Sequence, residues 1–167
     1  MIGGIDITGN LNFRIFKVHN TPLMQQEDWL IRQINQLGRV LGKILADLLG
    51  LKTKGQVGEG IEAVEQALKG ELDLDINNLA AMPSERFIIT LREGKQFTDE
   101  NFEMLADIFL IVAEELDQND RDNGKKKQLS EKALIIYEHL DKTGSTYSFE
   151  RHNKIEKIKS TLQRRVG

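Results

Sequence analysis

From Pro22 onward the apolar residues of this chain recur every three or four positions, the spacing that gathers one face of an α-helix. Leu30, Ile34, Leu37, Leu41, Ile44 and Leu48 alternate steps of four and three, which is a heptad seam. Ile31, Val40, Leu45 and Leu49 broaden that seam, so the first helix is expected to pack on more than one neighbour. Thr21 and Pro22 supply a cap and a first turn, Glu27 and Asp28 favour the start of the helix dipole, Lys52 and Lys54 favour its end, and Gly50 is the predicted stop. A Gly-rich joint from Gly55 to Gly60 leads into a shorter helix with Val57 or Ile61, Val64 and Leu68 on one face, ending at Gly70. Asp75 is positioned to cap a turn through Leu79 and Met82, Pro83 interrupts it, and Ser84 is the expected cap of a short helix carrying Phe87, Ile88 and Leu91 that stops before Gly94. Thr98, Asp99 and Glu100 open a longer helix whose face is Phe102, Leu105, Phe109, Val112 and Leu116. The polar stretch 117–127 reads as a turn or a solvated bridge. Leu129, Ala133, Ile136 and Leu140 mark the next helix, closed near Gly144, and Ile155, Ile158 and Leu162 mark the last. The pattern predicts an all-α domain over residues 24–167, with about six helices in antiparallel hairpins.

The period changes before Pro22. Ile5, Ile7, Leu11, Phe13 and Ile15 alternate with polar residues around Gly9-Asn10, a turn pair, and predict a short β-hairpin extension over residues 1–23. Two strands alone are marginal in water, so this segment either docks on the helices or frays, and Met24 is an alternative start.

Two spacings carry more than a fold class. Phe102-x2-Leu105-Ala106-x2-Phe109 matches the first helix of a tetratricopeptide repeat, and Ala133-x3-Tyr137 matches the small-then-aromatic spacing of the second. The small residue lets the paired helices approach and the aromatics fill the space between them. The interval from Phe109 to Ala133 is longer than in a true repeat, and an unrelated helical hairpin fits the same residues. The run SEKALIIYEHLDKTGSTYSFERHNKI, beginning at Ser130, resembles the C-terminal signature of an uncharacterised bacterial family of small helical proteins, and QEDWLIRQINQLGRVLGKILADLLGLK resembles that family's opening helix. The resemblance implies an all-helical, tetratricopeptide-like fold. It implies no activity, catalytic residue or cofactor, and it leaves residues 1–23 unexplained.

Composition narrows the function classes. The 167 residues are 40% hydrophobic and 29% charged, enough for a packed domain with a solvated surface. Twenty-three Lys and Arg against 26 Asp and Glu give a net charge of −3, so no global basic field draws the chain to nucleic acid. Cysteine is absent, which removes disulfides, thiolate metal sites and cysteine nucleophiles. With no apolar run near the ~18 residues of a membrane span and no secretory leader pattern, the expected location is the cytoplasm.

Candidate chemistry thins out once its context is considered. Gly55-x2-Gly58-x-Gly60 follows a helix where a phosphate loop would follow a strand, and it reads as a linker. Asp120, Asp122, Gly124 and Glu131 fall on calcium-loop positions, but Lys125 stands where the loop needs glycine and Lys126 and Lys127 add positive charge. His19, His139 and His152 are scattered. Ser145, His139 and Asp141 lie close in sequence without a nucleophile elbow, and Gly144-Ser145-Thr146 reads as a helix exit and the next cap. Glu114 and Glu115 point about 100° apart on a helix. Arg151, Lys154, Lys157, Lys159, Arg164 and Arg165 make the last helix basic, yet no aromatic stripe interleaves to stack bases. Gly38 and Gly42 permit close helix approach, with membrane-surface binding by the wide apolar face beside Arg39 and Lys43 as the rival reading.

No catalytic, metal or cofactor residue is therefore expected. The sequence points to a non-enzymatic helical module that binds a protein, a peptide or a second copy of itself. The expected contact surfaces are the first-helix seam from Leu30 to Leu48 and the hairpin groove carrying Phe102, Phe109 and Tyr137. Membrane-surface binding and a small-molecule-binding regulator are the alternatives.

Overall fold

The computed structural model describes residues 22–116 and 123–164, and the chain divides into two compact units, Met1–Asn35 and Gln36–Gly167. The expected β-hairpin, the Thr21 cap and residues 117–122 of the polar stretch lie outside the described residues. Every regular element among the described residues is helical: α1 (Pro22–Lys54), α2 (Val57–Leu72), α3 (Ile76–Ala81), α4 (Ser84–Ile89), α5 (Asp99–Leu116), α6 (Asn123–Thr143) and α7 (Phe149–Gln163), with a π-helical turn Thr90–Gly94 continuing α4. One more helix forms than the periodicity suggests, because Asp75 caps a full helix, α3. Its Oδ1 accepts hydrogen bonds from the backbone N–H of Asn77 at 3.0 Å and Asn78 at 3.1 Å.

Several helix ends fall elsewhere than the sequence suggests. α1 runs through Gly50 and stops at Gly55, whose φ of +67° is the left-handed conformation that only glycine adopts without penalty. Gly50 sits inside a helix held by Leu48 and the partly buried Leu51, and packing outweighs its weak helix propensity. α2 passes Gly70 in the same way and closes at Asp73, where the N–H of Leu74 reaches Leu68 O at 2.9 Å and buries Leu74 beneath the helix end. Ser84 is not a cap: Pro83 occupies the capping position and Ser84 is the first helical residue, without a side-chain cap bond. α6 ends before Gly144 as expected, but the next cap is Ser148, whose Oγ accepts from the Arg151 N–H at 3.2 Å. Thr98 opens α5 through its Oγ1, which accepts from the Asn101 N–H at 3.3 Å.

Within the second unit, α5 is the central element. Phe102, Leu105, Ala106, Ile108, Phe109 and Val112 are fully buried along it. α6 packs along α5 in the antiparallel sense: Phe102 near the start of α5 meets the His139 ring near the end of α6, with centroids 5.9 Å apart. α7 packs back along α6 with Ile155 and Ile158 turned inward, and its cations reach acids of α5. The later part of α1 approaches α5 through its small residues, since a Cβ on Gly38 would lie 3.2 Å from Asn101 Oδ1 and one on Gly42 would lie 3.7 Å from Met104 Sδ. Both glycines face the ends of α5 side chains and not the α5 backbone. No described helix is long and apolar enough to cross a membrane.

Candidate functional site

The residues singled out in the sequence go to different places. Leu37, Leu41, Ile44, Leu48, Phe102, Phe109 and Tyr137 belong to the core of the second unit, none more than 6% exposed. They hold this chain together and present no surface to a partner of the folded chain. Leu30 and Ile34, in the first unit, are half-buried. Of the four residues that broaden the seam, Val40 and Leu45 pack on the core, whereas Ile31 and Leu49 are exposed.

The charges of α7 also have a structural use. Arg151 reaches Glu103 at 3.4 Å and Asp141 at 3.8 Å, Lys154 reaches Asp107 at 2.8 Å, Lys157 reaches Glu114 at 3.0 Å, and Lys159 reaches Glu138 at 2.9 Å. The basic face is thus matched by acids of α5 and α6. Lys154 is held more basic than usual: burial opposes the charge, and the carboxylates of Asp107 and Glu150 outweigh it.

Above this ladder lies a cleft of about 440 Å³. Its floor is apolar, made by Leu110, Ile111 and Ala113 of α5 and Ile158 of α7. Its walls carry Lys52 from the end of α1, Lys126 and Ser130 from the first turns of α6, and Lys154, Lys157 and Thr161 from α7, with Asp107 and Glu114 of α5 between them. Glu114 binds two ammonium groups at once, Lys52 at 2.8 Å and Lys157 at 3.0 Å. Burial pushes the Glu114 carboxyl up, and the two lysines more than reverse this, holding it below the usual carboxylate range. No motif announces the cleft, because its cations come from three helices far apart in sequence. The one signal was the basic composition of the last helix.

The polar groups near one another in sequence do not converge. His139 Nε2 accepts a hydrogen bond from Arg92 Nη2 at 3.1 Å, Asp141 faces Arg151, and Ser145 is exposed in the bend after α6. Burial first, and then the Arg92 charge, hold His139 below the ordinary imidazole range. The linker expected over Gly55–Gly60 is only Gly55 and Gln56, since α2 begins at Val57; Gly58 and Gly60 lie in its first turn, where a side chain at Gly60 would overlap Leu51 and one at Gly58 would crowd Glu115. Of the calcium-loop positions, Asp120 and Asp122 lie outside the described residues, Gly124 is helical, and Glu131 pairs with Lys127 at 3.8 Å. No family model, no curated protein and no solved structure matches this chain.

Proposed function

We propose that the chain is a non-enzymatic helical interaction module whose partner is a second copy of itself, joined through the opening turns of α1. The observation that carries this reading is exposed apolar bulk on one face of α1: Met24 and Ile31, seven positions apart and so on the same side of the helix, are each more than half exposed. Exposed apolar side chains gathered on one helix face mark contact surfaces. Charge selects the occupant. Met24, Asp28, Ile31 and Arg32 fall on one face of α1, and two copies crossing antiparallel on that face set Asp28 of each beside Arg32 of the other with the Ile31 side chains between them, so the face is complementary to itself. The tetratricopeptide-like reading of α5 and α6 belongs to the same proposal, supported by the complete burial of Leu105, Ala106, Phe109, Ala133 and Tyr137.

Sedimentation equilibrium over a wide concentration range tests the proposal on the full chain. Wild type is expected to show a reversible monomer–dimer equilibrium that Ile31→Glu abolishes with its helical circular dichroism unchanged, because Ile31 is 55% exposed and outside the core. A monomer at every concentration, or a dimer indifferent to Ile31→Glu, refutes this surface.

A further inference from the structure

We infer that the cleft between α5, α6 and α7 binds a small amphiphilic anion, a carboxylate or phosphate head on an apolar body, with the head held between Lys52 and Lys157. The volume of about 440 Å³ is in the range of small-molecule sites. The lining has two chemistries in adjoining places. Leu110, Ile111, Ala113 and Ile158 form a surface that gains by covering an apolar body. The ammonium groups stand at its edge.

Glu114 pre-organises the head-binding position. It draws Lys52 and Lys157, from helices distant in sequence, onto the two oxygens of one carboxylate. An ammonium has three N–H donors and cannot accept, and Glu114 takes one donor from each lysine. Lys52 is 50% and Lys157 73% exposed at the side chain, so an incoming head reaches both without breaking a buried pair. Glu114 at once fixes the two cations and competes for them. Lys154, by contrast, is tied between Asp107 and Glu150 and serves as wall.

Isothermal titration of the full chain at low ionic strength tests this inference, with octanoate and octyl phosphate as head-plus-body probes below their micellar concentrations, inorganic phosphate as head alone and octanol as body alone. The two amphiphiles are expected to bind saturably at one site per chain, and each single-chemistry probe about tenfold or more weaker. Lys52→Ala and Lys157→Ala are each expected to weaken octyl phosphate about tenfold, the scale of one hydrogen bond to a charged group, with unchanged circular dichroism. Glu114→Gln is expected to tighten binding, because it removes the competitor and keeps the shape. Absence of saturable binding by the amphiphiles, affinity indifferent to both lysine substitutions, unchanged or weaker binding in Glu114→Gln, or binding to phosphatidylglycerol vesicles without binding of free octyl phosphate would each overturn the inference.

Discussion

Tyr137→Phe removes one oxygen atom from the centre of the α5–α6–α7 packing, and the structure sets the size of the effect. The ring is 0% exposed, and its hydroxyl donates to Asp107 Oδ1, the same oxygen that accepts from Lys154 Nζ at 2.8 Å. The Lys154 ammonium also lies 5.6 Å from the centre of the Tyr137 ring. Burial, and next the Asp107 charge, push the hydroxyl far above the ordinary phenol range, so it is a protonated donor at any working pH. A hydrogen bond to a charged acceptor contributes about 1.5–3 kcal/mol net. Asp107 keeps Lys154 and remains 23% exposed to water, which places Tyr137→Phe near the lower end, about 1.5 kcal/mol. In a protein of this size that is a fall of roughly 3–6 °C in Tm. Tyr137→Ala, which also empties the ring's volume, should cost about 3–5 kcal/mol. Urea denaturation and calorimetry measure both, and a double-mutant cycle with Asp107→Asn isolates the pair, with a coupling of about 1 kcal/mol or more expected. A Tm change under about 1 °C for Tyr137→Phe, or a coupling near zero, would show that the hydroxyl is satisfied some other way and that the reasoning about this network is wrong.

Two further outcomes follow from particular residues. Gly50 is helical and exposed with open space where a Cβ would go, so Gly50→Ala should stabilise by about 0.5–1 kcal/mol, whereas at Gly144 a Cβ would lie 2.6 Å from the Leu140 carbonyl oxygen and Gly144→Ala should destabilise; paired urea melts read both, and equal effects would contradict the assigned helix ends. His139 accepts from Arg92 only when neutral, so the unfolded chain takes up its proton near the ordinary value of 6.5 and the folded chain only at lower pH. The unfolded state therefore binds more protons in that interval, and stability should fall as pH drops through about 6.5 and level off below the folded value. His139→Gln, which keeps a neutral acceptor, should flatten this part of the profile in denaturant midpoints taken from pH 8 to 5, and an unchanged profile would remove His139 as its source.

The helices were legible because their apolar spacing is strong where the burial is deep. Leu37, Leu41, Ile44 and Leu48 recur in seam register and are all buried, as are Phe102, Leu105, Phe109 and Val112. Helix ends were less legible, since glycine lowers helix propensity by only about 1 kcal/mol and neighbouring contacts override it. Gly50 and Gly70 show that override, whereas Gly55, with its positive φ, and Gly144 stand just past real helix ends. Amphipathicity also could not separate residues that face the chain's own core from residues that face a partner. The same seam that is buried at Leu41 is half-buried at Leu30 and Ile34, because what covers a face is set by tertiary neighbours that period alone does not reveal. The cleft was less legible still: its lysines sit at solvated positions of separate helices, and only the folded arrangement brings Lys52 and Lys157 to one carboxylate.

The basic last helix shows how the same residues change meaning between sequence and structure. As a string, Arg151, Lys154, Lys157 and Lys159 describe a surface seeking an anion. In the fold they meet Glu103, Asp107, Glu114 and Glu138, and α7 needs them, because it turns only Ile155 and Ile158 fully inward. Ile155 and Ile158, with the partly buried Leu162, supply the apolar packing of α7, and the matched cations and acids add specificity to where it sits. Burial divides the ladder by its part in docking. Arg151, with its side chain 12% exposed, and Lys154, at 26%, are shielded enough for their pairs to help hold α7, whereas the Lys157 pair, with the lysine 73% exposed, adds little to stability while still orienting the ammonium toward Glu114. The shielded end fixes the helix and the exposed end leaves donors free at the rim of the cleft, so one row of charges both docks α7 and supplies the cation on which the anion site depends.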